Sequence, residues 1–409
     1  MNVEWFIARR LLAGEGRKSV AVPIVKIAVA GIALGLCVML LSLFVITGFK
    51  NEITGKLSGF VSHLNVVPYA SGNVQGEMNV EPGDSLMDAL RHIRGVTEVY
   101  KYIEKPAILK SESEIHGVVM KGVDSTFRMD FFQQNMRRGD VPDFSGEKAS
   151  NEVLISSTVA DMLKVDVGDK LTAHFVQDPP RARRLVVTGV YDTGFKEYDD
   201  VIVLVDLRHL ARLNDWRQGE VSGVAINVDD ARQSEMFREQ VYDKLDMWDK
   251  SYLVTSLRDE APQIFDWLSL LNMNVWVILV LIVTVAGFNM VSGLLVLILD
   301  KTTLIGVLKA LGCRDVSLRK LFLYISCELM LRGMVWGNAL AFVLAGIQIC
   351  FRVIHLDPAV YYMSEVPINF NLWHVLLLNA GVMFVTVVML VLPTMLVSRI
   401  SPIKAIRFE

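Results

Sequence analysis

Cysteine is scarce: Cys37, Cys313, Cys327 and Cys350 are the only four in 409 residues. None lies in the long polar middle of the chain, there is no CxxC pair, and no metal-ligand spacing occurs. A disulfide framework and a zinc site are therefore unsupported, and buried structural thiols are expected. Catalytic signatures are missing as well: there is no GxSxG, no HExxH and no Ser/His/Asp set that maps to one site. "GFKNEITGKL" (Gly48–Leu57) hints at a phosphate loop. A Walker A motif needs four residues between its glycines and Ser or Thr after Lys; here six separate Gly48 from Gly55, and Leu57 follows Lys56. What the chain has in excess is apolar surface, 52% hydrophobic residues against 21% charged, with a net charge of only -3. That balance fits a membrane protein with a sizeable aqueous domain.

A membrane helix needs roughly 20 mainly apolar residues. Windows of that kind lie near Ile27–Thr47, Val275–Leu299, Phe322–Phe351 and Val375–Val397. The first is too long for a signal-peptide core and no small-x-small site closes it, so it is expected to be retained. Basic residues cluster at Arg9, Arg10, Arg17 and Lys18, at Lys301, Lys309, Arg314, Arg319 and Lys320, and at Arg399, Lys404 and Arg407. The positive-inside rule then puts both termini and the loop between the second and third spans in the cytoplasm. The expected order is a tail at 1–23, a first span at 24–48, an outer domain with stalk at 49–271 and a second span at 272–299. A cytoplasmic loop at 300–321, a third span at 322–351, a short outer loop at 352–373, a fourth span at 374–398 and a tail at 399–409 follow. The outer segment holds 26 basic and 36 acidic residues, which agrees with this orientation without establishing it.

The outer segment alternates strands and helices. Strand patterns occur at "LNVVPY", "VYKYIEKPAIL", "IHGVVMKGV", "KLTAHFV", "RRLVVTGVYD", "DVIVLVDL", "SGVAINV" and "SYLVTSL". Helical patterns occur at Ser85–Ile93, Ser157–Lys164, Leu207–Leu213 and Ala231–Met247. The fold class is therefore a membrane protein with four transmembrane α-helices and a large α+β extracytoplasmic domain, folded as two lobes, between the first and second helices. Gly168 and Asp169 supply a helix-to-strand turn. The acidic run Lys196–Asp200 lacks the carboxylate spacing of a calcium loop and reads as a solvated turn. Pro262 suits a first helical turn, and from there one helix is expected to run into the second span without a break.

Glu328 and Arg332, four apart, are expected to pair on one helix face close to the inner membrane surface. In the inner loop, Leu304, Val307, Leu308 and Leu311 form an apolar stripe that Gly312 can end. This is an interfacial helix on lipid or a docking knob for a cytoplasmic motor.

With these residues in view, a family resemblance is evident. "VITGFKNEITGKLSGFVSHLNV" resembles the first-helix exit of the lipoprotein-releasing (Lol) ABC transporter permeases of the LolC/LolE type. "VMKGVD", "EVLISSTVADMLKVDVGDKL" and "VTGVYDTGFKEYDDVIVLVDL" resemble successive parts of that family's outer domain, the Gly194–Asp199 turn being the most distinctive. "LDKTTLIGVLKALG" resembles the coupling helix of the wider superfamily that includes the permeases FtsX and MacB, and "RISPIKAIRFE" resembles its common ending. One departure stands out. Where the carrier-receiving permease has a long hook hairpin, this chain has only Gln177–Arg183, so a long hook cannot be built.

The resemblance implies a MacB-like outer domain and a permease that is not itself an enzyme and holds no cofactor, ATP and Mg belonging to LolD-like ATPase subunits. It implies pairing with itself or with a LolC/LolE-like paralogue in the bacterial inner membrane. It implies extraction of lipoproteins from the outer leaflet toward a LolA-like periplasmic carrier, with membrane lipid as surroundings and no nucleic acid. Thr303, Leu304, Val307, Leu308, Leu311 and Gly312 are the expected ATPase-coupling residues. Leu43, Phe44, Ile46, Phe49, Met273, Trp276 and Leu279 are the expected lipoprotein-contacting surface. The alternatives are a MacB-like efflux permease, against which the absence of a fused ATPase counts, and an FtsX-like regulator of cell-wall hydrolases.

Overall fold

The computed structural model describes residues 3–13, 21–69, 79–217, 219–229, 233–245 and 252–396. The chain begins with α1 (Val3–Ala13) and α2 (Ala21–Val61), followed by β1 (Leu64–Pro68), α3 (Asp84–Arg91), β2 (Val96–Lys110) and β3 (Ile115–Val123). Next come α4 (Asp130–Gln134), β4 (Met136–Gly139), β5 (Glu152–Ser156), α5 (Ser157–Leu163), β6 (Lys170–Phe175) and β7 (Arg181–Tyr191). Then follow α6 (Lys196–Asp199), β8 (Ile202–Asp206), α7 (Leu207–Leu213), β9 (Gly223–Val228), α8 (Ser234–Leu245), β10 (Tyr252–Ser256) and α9 (Leu257–Glu260). The last part is helical: α10 (Pro262–Asp300), α11 (Thr302–Ala310), α12 (Asp315–Phe351), α13 (Pro358–Tyr361) and α14 (Leu372–Leu396). The Arg17, Lys18 and Arg399–Glu409 readings lie outside the described residues, as do Ala231, Arg232, Asp246 and Met247 of the fourth helical pattern.

Two compact units divide the chain: Met1–Lys50, Trp267–Ile354 and Val366–Glu409 form one, and Asn51–Asp266 with His355–Glu365 the other. The expected outer domain began at 49 and ended at 271, and the expected 352–373 loop was separate from it. Instead, residues 355–365 of that loop fold with the domain.

In the helical unit, α2, α10, α12 and α14 are long and apolar enough to cross a membrane. At 1.5 Å per residue the 41 residues of α2 run roughly 60 Å, about twice a hydrocarbon core. Helix contact rests on small residues. Gly333, Gly337, Ala341 and Ala345 recur every fourth position on the buried face of α12. A Cβ at Gly337 would stand 2.7 Å from the carbonyl oxygen of Ala33, so α12 lies against α2 at a distance only glycine allows. Between α12 and α14, Asn338 and Asn379 donate to each other's side-chain oxygens at 2.8 and 3.0 Å. Glu328 and Arg332 pair at 3.2 Å on α12, as their spacing predicts. The thiols correct the expectation of uniform burial. Cys37 is buried, Cys313 and Cys327 are half-buried, and Cys350 is exposed, all in the free state.

The domain is built on one ten-stranded mixed sheet, β10-β1-β9-β2-β3-β8-β5-β7-β4, with β6 bridging β2 and β7. Two cores give it its lobes. One packs β1, β9, β10 and the start of β2 under α3 and α8, and the other packs β2, β3 and β5 to β8 under α5 and α7. The 15-residue β2 serves both. Its partners change along its length, β9 at Val96–Tyr102 and β6 at Ile108–Lys110. Pro106, with no N–H to give, falls in the gap between them. Local chemistry sets the helix starts: Ser156 caps α5 through Val159 N at 3.0 Å, and Asp206 caps α7 through Arg208 N at 2.9 Å. Phe175 pairs with Arg181 across the β6–β7 connection, so the link there is short, as expected.

Candidate functional site at the end of the first long helix

The turn "LFVITGFK" of α2 is a packing hub within the helical unit. The extended segment before α14 lies directly on it. Asn369 N donates to the carbonyl of Phe44 at 3.2 Å, and a Cβ on Gly48 would collide with the carbonyl of Pro367. Gly48 is thus required by a close backbone approach. Phe44 lies between Phe342 and Phe370, with ring centroids 6.3 and 5.6 Å away. Phe49 meets Trp267 edge-on at 6.4 Å.

These contacts involve part of the expected lipoprotein-contacting surface. Phe44, Ile46, Phe49 and Leu279 are buried within this chain, and Leu43 is half-buried. Apolar side chains that look fit to meet lipid are occupied by their own neighbours. Met273 and Trp276 on α10, 58% and 65% exposed, remain open.

Past Lys50, α2 continues into the domain unit. There Glu52 and Lys56, four apart on the helix, lie 3.9 Å apart. The last turn is held by the domain on every side. Lys121, whose side chain is 3% exposed, donates to the carbonyl of Phe60 and lies 3.6 Å from Glu104. Its ammonium stands 5.1 Å from the ring centre of Tyr102. Asn65 Nδ2 donates to the carbonyl of Val61 at 3.0 Å, and Ser62 Oγ shares a 2.6 Å hydrogen bond with Tyr100 Oη. A helix end leaves carbonyls without partners, and here side chains of the domain supply them. Around this end, Phe60 contacts Phe131, Phe132, Tyr191 and Tyr198. The one local signal for Lys121 was its inward position in "VVMKGV", where a charge is rare.

The acidic run Lys196–Asp200 is only partly solvated, which corrects its reading as a solvated turn: Lys196 and Glu197 are exposed, but Asp199 is not. Asp199 is 2% exposed and accepts hydrogen bonds from Thr193 Oγ1 and N at 2.8 and 3.2 Å. Ser156 Oγ donates to its carbonyl. Burial, followed by the charge of Asp192, pushes the Asp199 carboxyl up to about 6 against the pull of the Thr193 bonds and Lys56. Gly55–Lys56 forms no phosphate cradle: both lie within α2, and Lys56 Nζ donates to the carbonyl of Tyr362 at 3.2 Å. Among the described residues, no group of three or more His, Cys, Asp or Glu could hold a metal ion.

The inner helix α11 has two apolar faces where one was expected. Ile305, absent from the predicted stripe, is fully buried, and Leu308 packs beside it. Thr303, Val307 and Leu311 face outward, Leu311 79% exposed, while Leu304 is intermediate. Gly312, at φ +90°, ends the helix as the sequence suggested.

Four apolar helices of crossing length, with a mixed-sheet domain inserted between the first and second, define a polytopic membrane protein with one large aqueous domain. The chain belongs to the family with the MacB-like periplasmic core domain, matched over residues 27–243, and an FtsX-like permease C-terminal region follows at 276–402. It is therefore a permease of the FtsX/MacB superfamily. It is 24% identical over 420 residues to the lipoprotein-releasing system transmembrane protein LolC of Xylella fastidiosa, covering 98% of each chain. It is 20% identical to the lipoprotein-releasing system transmembrane protein LolE of Haemophilus influenzae, covering 99% of each. The solved periplasmic region of MacB from Actinobacillus actinomycetemcomitans is 11% identical, covers 51% of this chain and 95% of that one, and has a TM-score of 0.36.

Proposed function

We propose that the chain is a permease subunit of an ATP-driven lipoprotein-releasing transporter. End-to-end similarity to relatives named for that process carries the reading, because both the aqueous domain and the permease region match in order. In this reading the domain is periplasmic, the termini are cytoplasmic and the membrane is the bacterial inner one. A second permease, the same or a paralogue, completes the pore, and separate ATPase subunits bind the outward face of α11 through Val307 and Leu311.

The work to be done is large. Withdrawing acyl chains from a bilayer costs about 0.8 kcal/mol per methylene, which calls for a motor. ATP binding draws the two permeases together, and α2 and α10, which continue from apolar spans into the domain, carry the motion outward. Met273 and Trp276 are the residues left open to receive acyl chains. The efflux and regulator alternatives have no observation that favours them.

The test is reconstitution of the permease with its ATPase and a lipoprotein substrate in proteoliposomes. The proposal predicts ATP-dependent transfer of the lipoprotein to a soluble carrier. Retention of lipoprotein in the vesicle under ATP turnover would overturn it.

A further inference from the structure

Lys56 is the half of the Gly55–Lys56 pair for which transport as proposed gives no role. Its side chain is 15% exposed, and its environment is built rather than incidental. The ammonium donates to the Tyr362 carbonyl at 3.2 Å. Glu52, Asp199 and Asp192 all act on it electrostatically. A Cβ on Gly194 would stand 3.5 Å from its Nζ, so the distinctive glycine turn runs alongside the lysine. Three separate pieces of chain converge on one cation: the extension of α2, the 192–199 turn and the segment His355–Glu365.

That segment is a closed loop. His355 bridges Glu365, and Leu356 N donates to the Ser364 carbonyl at 2.9 Å. Tyr362 sits at φ +61°, just past the end of α13, where carbonyls lack helical partners and a cation is favoured. Its ring meets Phe195 edge-on at 4.9 Å, and Met363 is 3% exposed. Toward its ends the segment continues through short links into α12 and α14.

We infer that Lys56 latches the His355–Glu365 strap onto α2, which makes it a positioning residue for the proposed lipoprotein release. Because the strap continues into α12 and α14, the closed latch adds a tie from the extension of α2 to the segments that lead into those helices, beside the direct contacts at Gly337 and Phe44. A methionine at this position keeps the length and packing but has no proton to donate to the Tyr362 carbonyl. An arginine restores a donor.

This inference rests on the proposed function for its consequence but not for its geometry, and one experiment separates the two. Full-length wild type, Lys56→Met and Lys56→Arg, each in complex with the ATPase in nanodiscs, are compared by hydrogen exchange and by lipoprotein released per ATP hydrolysed. Lys56→Met is expected to speed exchange of amides 356–364 about tenfold, as loss of one charged hydrogen bond implies, with the sheet strands unchanged. Release per ATP is expected to fall about tenfold, within the usual range of coupling energies. Lys56→Arg is expected to recover both. Unchanged exchange in Lys56→Met would overturn the latch. Faster exchange with undiminished release per ATP would overturn the positioning role. Absence of release from the wild type would instead overturn the transport reading, with the exchange result still reporting on the latch.

Discussion

The buried ammonium of Lys121 donates to the carbonyl of Phe60 in the last turn of α2. An apolar spanning helix thus ends on a charged group in the domain. Lys121→Met should leave that carbonyl, and the nearby Glu104, without their partner. The expected loss is about 2–4 kcal/mol, the range for breaking a buried charged contact. A clear drop in the apparent Tm of the full-length protein checks this. An unchanged Tm would show that the ammonium contributes nothing to the joint.

Two glycines of the same helix should behave oppositely. Gly48 sits under the Pro367 carbonyl, whereas a Cβ on Gly55 would meet nothing within 4 Å. Gly48→Ala should lower the yield of monodisperse protein and its Tm. Gly55→Ala should be neutral or stabilising by up to about 1 kcal/mol, the helix-propensity difference. Parallel purification and thermal unfolding of the two variants give the comparison.

Asp199 gives the domain a pH dependence of defined sign. Burial first, and then the charge of Asp192, raise its carboxyl from 3.8 to about 6, so the folded state holds the proton more tightly than the unfolded chain. Its contribution to stability is fully present below about pH 4 and is lost as pH rises through about 6, by at most about 3 kcal/mol. Asp199→Asn should flatten this part of the Tm-against-pH curve. A wild-type contribution that instead grew between pH 4 and 6 would contradict the assignment.

The two faces of α11 should separate folding from docking. Leu311→Asp places a charge on an exposed face and should leave the Tm unchanged. If that face binds the ATPase, co-purification of the ATPase should fall by tenfold or more, as for a residue central to an interface. Ile305→Asp buries the charge and should destabilise the permease itself.

Long-range pattern made much of this legible from sequence. The four spans follow from runs of apolar residues, and α10 from the absence of any breaker between Pro262 and Asp300. The strands with alternating burial, such as β2, were equally plain. The strand β5 was not identified as one. Val153, Leu154 and Ile155 are all fully buried between β7 and β8, and a strand enclosed on both faces shows no alternation. That Phe44, Ile46, Phe49 and Leu279 are buried within the chain was not legible, because an apolar residue facing lipid and one facing a neighbouring helix are chemically the same. The folding of residues 355–365 with the domain depends on partners more than 100 residues away, such as Lys56 for Tyr362, which no local window contains.

The measurement that bears most directly on the central claim is depletion of this permease in its native cell, followed by separation of the inner and outer membranes. Triacylated lipoproteins should accumulate in the inner membrane as the protein is lost. If they continue to reach the outer membrane in normal amounts, the chain is not a lipoprotein-releasing permease.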